Sequence, residues 1–462
     1  MSDRQAPPDP GSDQPEGGRA GVREYKVDLL TRVEGEGRFY LRVEDGRVTN
    51  AELAIFEAPR YFEAFLRGRS LYEVSDIVAR ICGICPIAYQ MSSARALENA
   101  LGITLDPQVR RLRRLIYCGE WIESHALHIY LLHAPDFLGY PSSIEMAAHH
   151  RDLVERGLRM KKLGNALVEL LGGRAVHPVS PRVGGFTKAP SRRALTALRE
   201  QLEACLGEAE ETVAWTSTLP MPGFEQNYVA VALVGDEYPL EWGDRFAVSG
   251  RGTFAVDEFE EVCHETQAPH SHALQCRLRD GTPYICGPLA RLNHCHDTLH
   301  PRARDALARS GVALPVTNPY QSIVVRAIEL VHAFAEAIDI IDAYQPPSAP
   351  YVEFPVRAGE GAGATEAPRG MLFHRYRVDA EGLIEHARIV PPTSQNQARI
   401  EADLVGIARE LLALPHDQAT HRCEQLIRAY DPCISCATHF LRLDIDRAEP
   451  AEPPANPDDP CA

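Results

Sequence analysis

The residues best suited to chemistry are cysteines in two short stretches far apart in the chain. One is Arg80-Ile-Cys82-Gly-Ile-Cys85. The other is Asp431-Pro-Cys433-Ile-Ser-Cys436-Ala-Thr-His439. Each carries a C-x-x-C, so together they offer four thiols, enough for one metal site if the fold joins them. Three chemistries suit the pattern: a catalytic soft-metal centre, a structural zinc, and redox dithiols. Most of the chain separates the two pairs. Closing a long loop costs only logarithmically more entropy than closing a short one, so a joint site is allowed. The separation argues against a local zinc knuckle and for a site at the centre of a large domain.

The elements that must position these thiols can be read from pattern. Arg38–Glu44 and Arg47–Phe56 alternate like strands around Asp45-Gly46, a hairpin dipeptide. After Cys85, Ile87, Met91, Ala94, Leu97 and Leu101 recur at helical spacing, and Gly102 can end that helix. Residues 108–133, 153–172, 191–219 and 322–344 also read as long helices, the first of these ending before Pro135. Residues 220–300 read as turns and short strands. The glycine-rich stretch 357–370 lacks the spacing of a phosphate loop and reads as a surface loop. A hairpin follows over 371–378 and 383–390, then a loop from Val390 to Gln397. Helices over 397–414 and 417–430 lead to Asp431. His125 and His128, three apart, and His294-Cys295-His296 read as structural.

Composition sets further bounds. The 462 residues are 45% hydrophobic, enough for a large core. A net charge of −16 opposes nucleic acid or an anionic membrane as partner. No apolar run has the length of a membrane span. Residues 1–22 are polar, lack the apolar core of a secretory signal, and are expected to stay disordered. The remaining cysteines form no further C-x-x-C and read as reduced thiols of a cytoplasmic protein. They supply no iron–sulfur pattern, so a partner must carry away any electrons.

The two cysteine stretches resemble the paired motifs R-x-C-G-x-C and D-P-C-x-x-C-x-x-H of [NiFe] hydrogenase large subunits. The resemblance runs from about Glu24 to His439, because further motifs fall in that family's order. It implies a mainly α fold with small peripheral β-sheets (α+β) around a central bundle of long helices, spanning 23–439. The tail 440–462 would be removed after His439 by a maturation endopeptidase. The cofactor implied is a nickel–iron centre. Cys82, Cys85, Cys433 and Cys436 would bind nickel, with Cys85 and Cys436 bridging to iron. The iron would carry carbon monoxide and cyanide, delivered by metal-insertion proteins. No iron–sulfur cluster or flavin is expected in this chain.

The same resemblance assigns roles to other residues. Glu34, in Thr31-Arg-Val-Glu34-Gly, matches the proton gate. Arg369, in Pro368-Arg369-Gly370, would lie over the open face of the metals, with Asp431 orienting it. Thr393 and Pro368 would border the diatomic ligands of iron. Glu63, the Gln397 carbonyl and His439 would hold magnesium or another divalent ion. Four positions depart from the pattern: Glu36, Tyr61, Tyr89 and Ser124. The implied activity is reversible, heterolytic splitting of dihydrogen, which needs an acceptor for the electron pair and a base for the proton. The cysteine stretch and Glu123-Ser-His-Ala-Leu-His128 look most like the NADP-linked, sulfhydrogenase-type branch. Expected partners are an iron–sulfur small subunit and flavin-bearing NAD(P) diaphorase subunits. A non-catalytic scaffold like the quinone-site subunit of respiratory complex I, and a structural zinc protein with a four-cysteine site, are the rival readings.

Overall fold

A computed structural model describes residues 22–58 and 60–438. Residues 1–21, His439 and the tail beyond it lie outside the described residues. The chain opens with an antiparallel sheet of β1 (Val22–Val27), β2 (Gly37–Glu44) and β3 (Arg47–Ile55). In β2 the side chains alternate as the pleat demands: Phe39, Leu41 and Val43 are buried, while Arg38 faces solvent. Asp45 and Gly46 both take positive φ (49° and 76°), as the expected two-residue turn requires.

Helices make up the bulk of the core. They include α1 (Phe62–Leu66), α2 (Pro86–Leu101), α3 (Pro107–Leu127), α4 (Arg151–Gly172), α5 (Arg192–Thr216) and α6 (Ser322–Asp342). Helix α3 crosses α4 where Gly119 and Gly164 let the backbones touch. A Cβ on Gly164 would sit 2.6 Å from the Glu123 nitrogen. Helix α6 is apolar on almost every side and packs against α3 and α5, as a fully enclosed helix should. Pro135 does not stop the chain. A π-helical turn, His128–His133, leads into the short helix Ala134–Leu138 with Pro135 in its first turn.

The stretch 357–370 departs most from its sequence reading. It is not a surface loop but a buried strand, β4 (Gly359–Ala367), paired with β5 (Gly370–Val378), which pairs with β6 (Ile384–Val390). The glycines are there for close approach. A Cβ on Gly361 would lie 2.4 Å from the Ala100 nitrogen, and one on Gly363 2.5 Å from the Ala96 nitrogen. The strand therefore lies directly on the backbone of α2. A second correction follows it: the expected loop from Val390 to Gln397 is mostly the start of α7 (Pro392–Leu411), so Thr393 and Gln397 are helical. Proline at the first helical position presets φ for that start. Helix α8 (His416–Ala429) ends two residues before Asp431. Between α5 and α6, Val231–Val234, Arg245–Val248 and Gly252–Ala255 form one small sheet, and Cys263–Gln267 pairs with Leu274–Leu278. No described helix is long and apolar enough to cross a membrane.

Candidate metal centre

The four cysteines of the two stretches meet. Their sulfurs all lie within 4.8 Å of one another, and they are the one such metal-ligating group among the described residues. First thiol faces first and second faces second: Cys82 Sγ is 3.5 Å from Cys433 Sγ, and Cys85 Sγ 3.7 Å from Cys436 Sγ. All four are at most 4% exposed. Cys82 and Cys85 sit in the turn that enters α2, and Cys433 and Cys436 in the turn that leaves α8.

Several groups bind the two turns into one unit. Arg60 Nη2 donates to Ile81 O (2.6 Å) and to Ser435 O, one carbonyl from each turn. Ile434 N donates to Glu34 O (2.8 Å), and Thr393 Oγ1 accepts from Cys433 N (3.0 Å). The first turn of α2 has no local cap. Instead, the buried Glu120 carboxylate on α3 accepts from Ile87 N (2.6 Å) and Ala88 N (3.1 Å). Sequence reasoning passed over Arg60 and Glu120. Arg60 lies just before Glu63 in the chain, but nothing local marks its targets.

The electrostatics favour a bound cation. Cys82 is driven well below the ordinary thiol range, first by hydrogen bonding with Cys433, then with Cys436 and Cys85. Cys433 and Cys436 are pushed up, chiefly by burial. Burial therefore opposes loss of the thiol protons from Cys433 and Cys436. A soft ion taking all four thiolates must displace those protons. A set of four sulfurs fits nickel or another thiophilic ion and does not fit magnesium or calcium.

A cavity of about 10 Å³ lies against the sulfurs, lined by Cys85, Cys433, Cys436, Tyr89, Arg369 and Thr393 among others. Arg369 is fixed on one side: Nε donates to Asp431 O (2.9 Å) and Nη2 to Asp431 Oδ1 (3.2 Å). Its Nη1 has no partner among the described residues. Burial works against the charge of Arg369, but Asp431 and then the thiolates of Cys433, Cys85 and Cys82 keep it protonated far above its usual range. The turn that carries it is tight. Gly287 and Gly370 have φ of 103° and 140°, and a Cβ on Gly370 would sit 2.5 Å from Cys286 Sγ. Tyr89 is raised well above its ordinary range by burial, then by the charges of Cys436 and Cys85.

Glu34 is half-buried at the edge of the site. Its Oε2 lies 3.1 Å from Cys433 Sγ and accepts from Ser435 N at 3.0 Å. Glu36 is exposed. Glu63 on α1 is buried and accepts from Ile389 N (2.7 Å). Gln397 is buried too. Its Nε2 donates to Leu53 O (2.8 Å) and Ser271 Oγ (2.9 Å), and its Oε1 has no partner among the described residues. Pro368 gives its carbonyl to Arg291 (3.0 Å). Ser124 is buried on α3, and the histidines near it bond protein groups: His128 Nε2 lies 2.8 Å from Arg428 O. His294 Nε2 lies 3.0 Å from Ala230 O, in line with a structural role.

Residues 60–156 and 317–439 match the family model of the nickel-dependent hydrogenases. The chain is 35% identical over 421 residues to the sulfhydrogenase 2 subunit alpha of Pyrococcus furiosus, across 90% of this chain and 99% of that one. It is 27% identical over 480 residues to the NAD-reducing hydrogenase HoxS subunit beta of Cupriavidus necator, across 91% and 95%. Its fold matches the crystal structure of an NAD+-reducing [NiFe]-hydrogenase in the H2-reduced state with a TM-score of 0.82 at 27% identity, covering 91% of this chain and 100% of that one. Likeness on this scale excludes a zinc ribbon, and the intact thiol cluster sets the chain apart from a metal-free scaffold. The chain belongs to the nickel-dependent hydrogenases and is the catalytic large subunit of a [NiFe] hydrogenase, an oxidoreductase acting on hydrogen.

Proposed function

We propose that this subunit splits dihydrogen reversibly and heterolytically, and that its electrons pass through an iron–sulfur small subunit to a flavin subunit that reduces NAD(P). The observation that carries the reading is the buried four-thiol cluster with the Arg369 guanidinium held beside it. Cys82 and Cys433 would bind nickel alone, while Cys85 and Cys436 would bridge to iron carrying carbon monoxide and cyanide. When bound, the metal pair supplies the acceptor for the electron pair of dihydrogen.

The protein residues then have distinct tasks. Arg369 places a fixed positive charge over the cavity, where low dielectric strengthens it. Asp431 aims that charge. Thr393 and Pro368 border the diatomic ligands. Glu34 moves the proton: a proton on Cys433 Sγ has the Glu34 carboxylate 3.1 Å away, within direct transfer range. Its half-exposed position then offers a way outward. Glu63, the Gln397 carbonyl and His439 would hold magnesium or another divalent ion, anchoring the C-terminal turn. Cleavage between His439 and Phe440 would complete maturation, and the protein would act in the cytoplasm. The NAD(P) link rests on the sulfhydrogenase and NAD-reducing relatives.

Infrared spectroscopy with metal analysis, on protein purified from its own source, tests the centre. Carbon monoxide and cyanide stretches with nickel and iron near one each, beyond cluster iron, are expected. Zinc alone would sink the proposal. Co-purification with flavin subunits and hydrogen-dependent NAD(P) reduction tests the electron route. Glu34→Gln is expected to keep both metals but to slow dihydrogen–deuterium exchange by about a hundredfold or more. Unchanged exchange removes Glu34 from the proton path.

A further inference from the structure

Behind Asp431 lies a second guanidinium. Arg326, on α6, is 1% exposed, and its Nη2 is 3.9 Å from Asp431 Oδ2. The same carboxylate oxygen is 3.1 Å from Arg369 Nε. One buried carboxylate therefore stands between two buried cations. Arg326 also reaches the backbone that leads into the C-terminal cysteine turn: Nη1 donates to Ala429 O (3.3 Å) and Nη2 to Tyr430 O (3.5 Å). One helical turn earlier on the same face of α6, Ser322 Oγ donates to Ala429 O at 2.6 Å. These carbonyls belong to the last turn of α8, whose acceptors have no helical partners. A cation there is favoured by the helix dipole as well.

The segment so held is strained. Asp431 has φ of 54°, a left-handed conformation that is costly for a residue with a Cβ and persists where its surroundings over-determine it. It stands two residues before Cys433. Arg326 does not line the cavity at the sulfurs. It lines a separate small cavity with Cys286, Pro319 and Tyr430. Its contacts toward the site run through Asp431 and the turn that precedes it.

We infer that Arg326 is a positioning residue: from α6 it fixes the 429–431 turn and shares the Asp431 carboxylate, so that Arg369 is held in one orientation over the sulfurs. The inference rests on the proposed roles of Arg369 and Asp431. A neutral side chain at 326 frees the carboxylate to rotate toward Arg369 alone and releases the strained turn. Lysine keeps the charge but lacks the fork that reaches two carbonyls and a carboxylate together.

The test is a crystal structure of Arg326→Gln in the assembled enzyme, with steady-state hydrogen oxidation on the same protein. The expected outcome is a displaced Arg369 guanidinium. The expected kinetics are a fall in kcat of about tenfold or more, with KM for dihydrogen changed less than about twofold. In an Asp431→Asn background the same substitution is expected to lower kcat by a clearly smaller factor than in the wild-type background, because the carboxylate link is already gone and only the hold on the turn remains to be lost. Arg326→Lys should give an intermediate loss. If Arg326→Gln does not accumulate as folded protein, Arg326→Lys carries both readouts. An unmoved Arg369 with unchanged kcat overturns the inference, as do equal losses in both backgrounds. Failure of the hydrogenase reading looks different: wild-type protein would oxidise no hydrogen, while the variant crystal structure would still report whether Arg326 holds Arg369.

Discussion

Two buried arginines lie close together in this protein and are used in opposite ways. Arg291, in the short helix Pro288–Cys295, has every N–H engaged. Nε and Nη2 donate to the two oxygens of Glu329 (2.7 and 2.8 Å). Nη1 donates to Glu366 (3.0 Å) and Ala367 O (2.9 Å), and Nη2 also to Pro368 O (3.0 Å). The Trp121 ring covers its face at 4.4 Å. Arg369 is the next residue after those two carbonyls, yet its Nη1 has no partner among the described residues. The first guanidinium is saturated and builds the turn. The second is carried by that turn with donor capacity left over beside the sulfurs. A buried donor without a partner costs about 1–3 kcal/mol, a cost the Arg291 network avoids and the metal centre bears. Of these two arginines, the saturated one builds the turn and the one with capacity to spare faces the sulfurs.

Three experiments break or sharpen this contrast. The largest effect is expected from Glu329→Gln, which leaves Arg291 buried with its main counter-charge gone. Removing one partner of a buried pair costs about 3–5 kcal/mol, read as a lower urea midpoint of the assembled enzyme. Turnover per bound nickel should fall far less. A large loss of turnover with unchanged stability would erase the distinction between the two arginines. Next comes Arg369→Lys, which keeps a charge but loses the planar fork. Turnover is expected to drop about a hundredfold, or about 2.7 kcal/mol, with metal content and stability near wild type. A near-normal rate would show that the unpartnered Nη1 has no task.

The smallest effect belongs to Glu366, the third member of the Arg291 network. Burial raises it to about 7, with Arg291 and a backbone bond from Leu233 opposing. The folded protein therefore binds that proton more tightly than the unfolded chain. The associated stability is complete below the ordinary carboxyl range and is lost as pH rises toward 7. Between pH 5.5 and 8 the loss from this group is about 2 kcal/mol. Glu366→Gln should flatten the pH dependence of the unfolding midpoint over that range. An unaltered slope would mean that Glu366 is ionised throughout, like Glu329, which its partners hold well below the usual range.

Much of this was legible beforehand because it is local or periodic. The 3.6-residue spacing marked α2 and α6, the Asp45-Gly46 pair marked its hairpin, and the motifs marked the four cysteines. The failures share one cause. Gly359–Ala367 has no alternation to read, since glycine and alanine carry little hydrophobic signal. Its strand is defined by the backbone of α2 pressing on it. The Val390–Gln397 segment reads as a loop from its resemblance to a family motif, yet it opens a helix whose polar groups bond across the core to Cys433, Leu53 and Ser271. Pro135 looked like a stop because the π-helical turn before it has no simple signature.

By itself the sequence determined the kind of site: four thiols, an acid and an arginine in motifs that bring their chemistry with them. It also determined most helices, because periodicity follows from local backbone geometry. Only the tertiary structure decided which charges work and which merely hold. Arg60, Glu120, Arg291 and Arg326 are ordinary polar residues until distant chain segments bring them their partners. The value of a buried charge depends on those partners and on the exclusion of water, and neither is written in the residue's own neighbourhood.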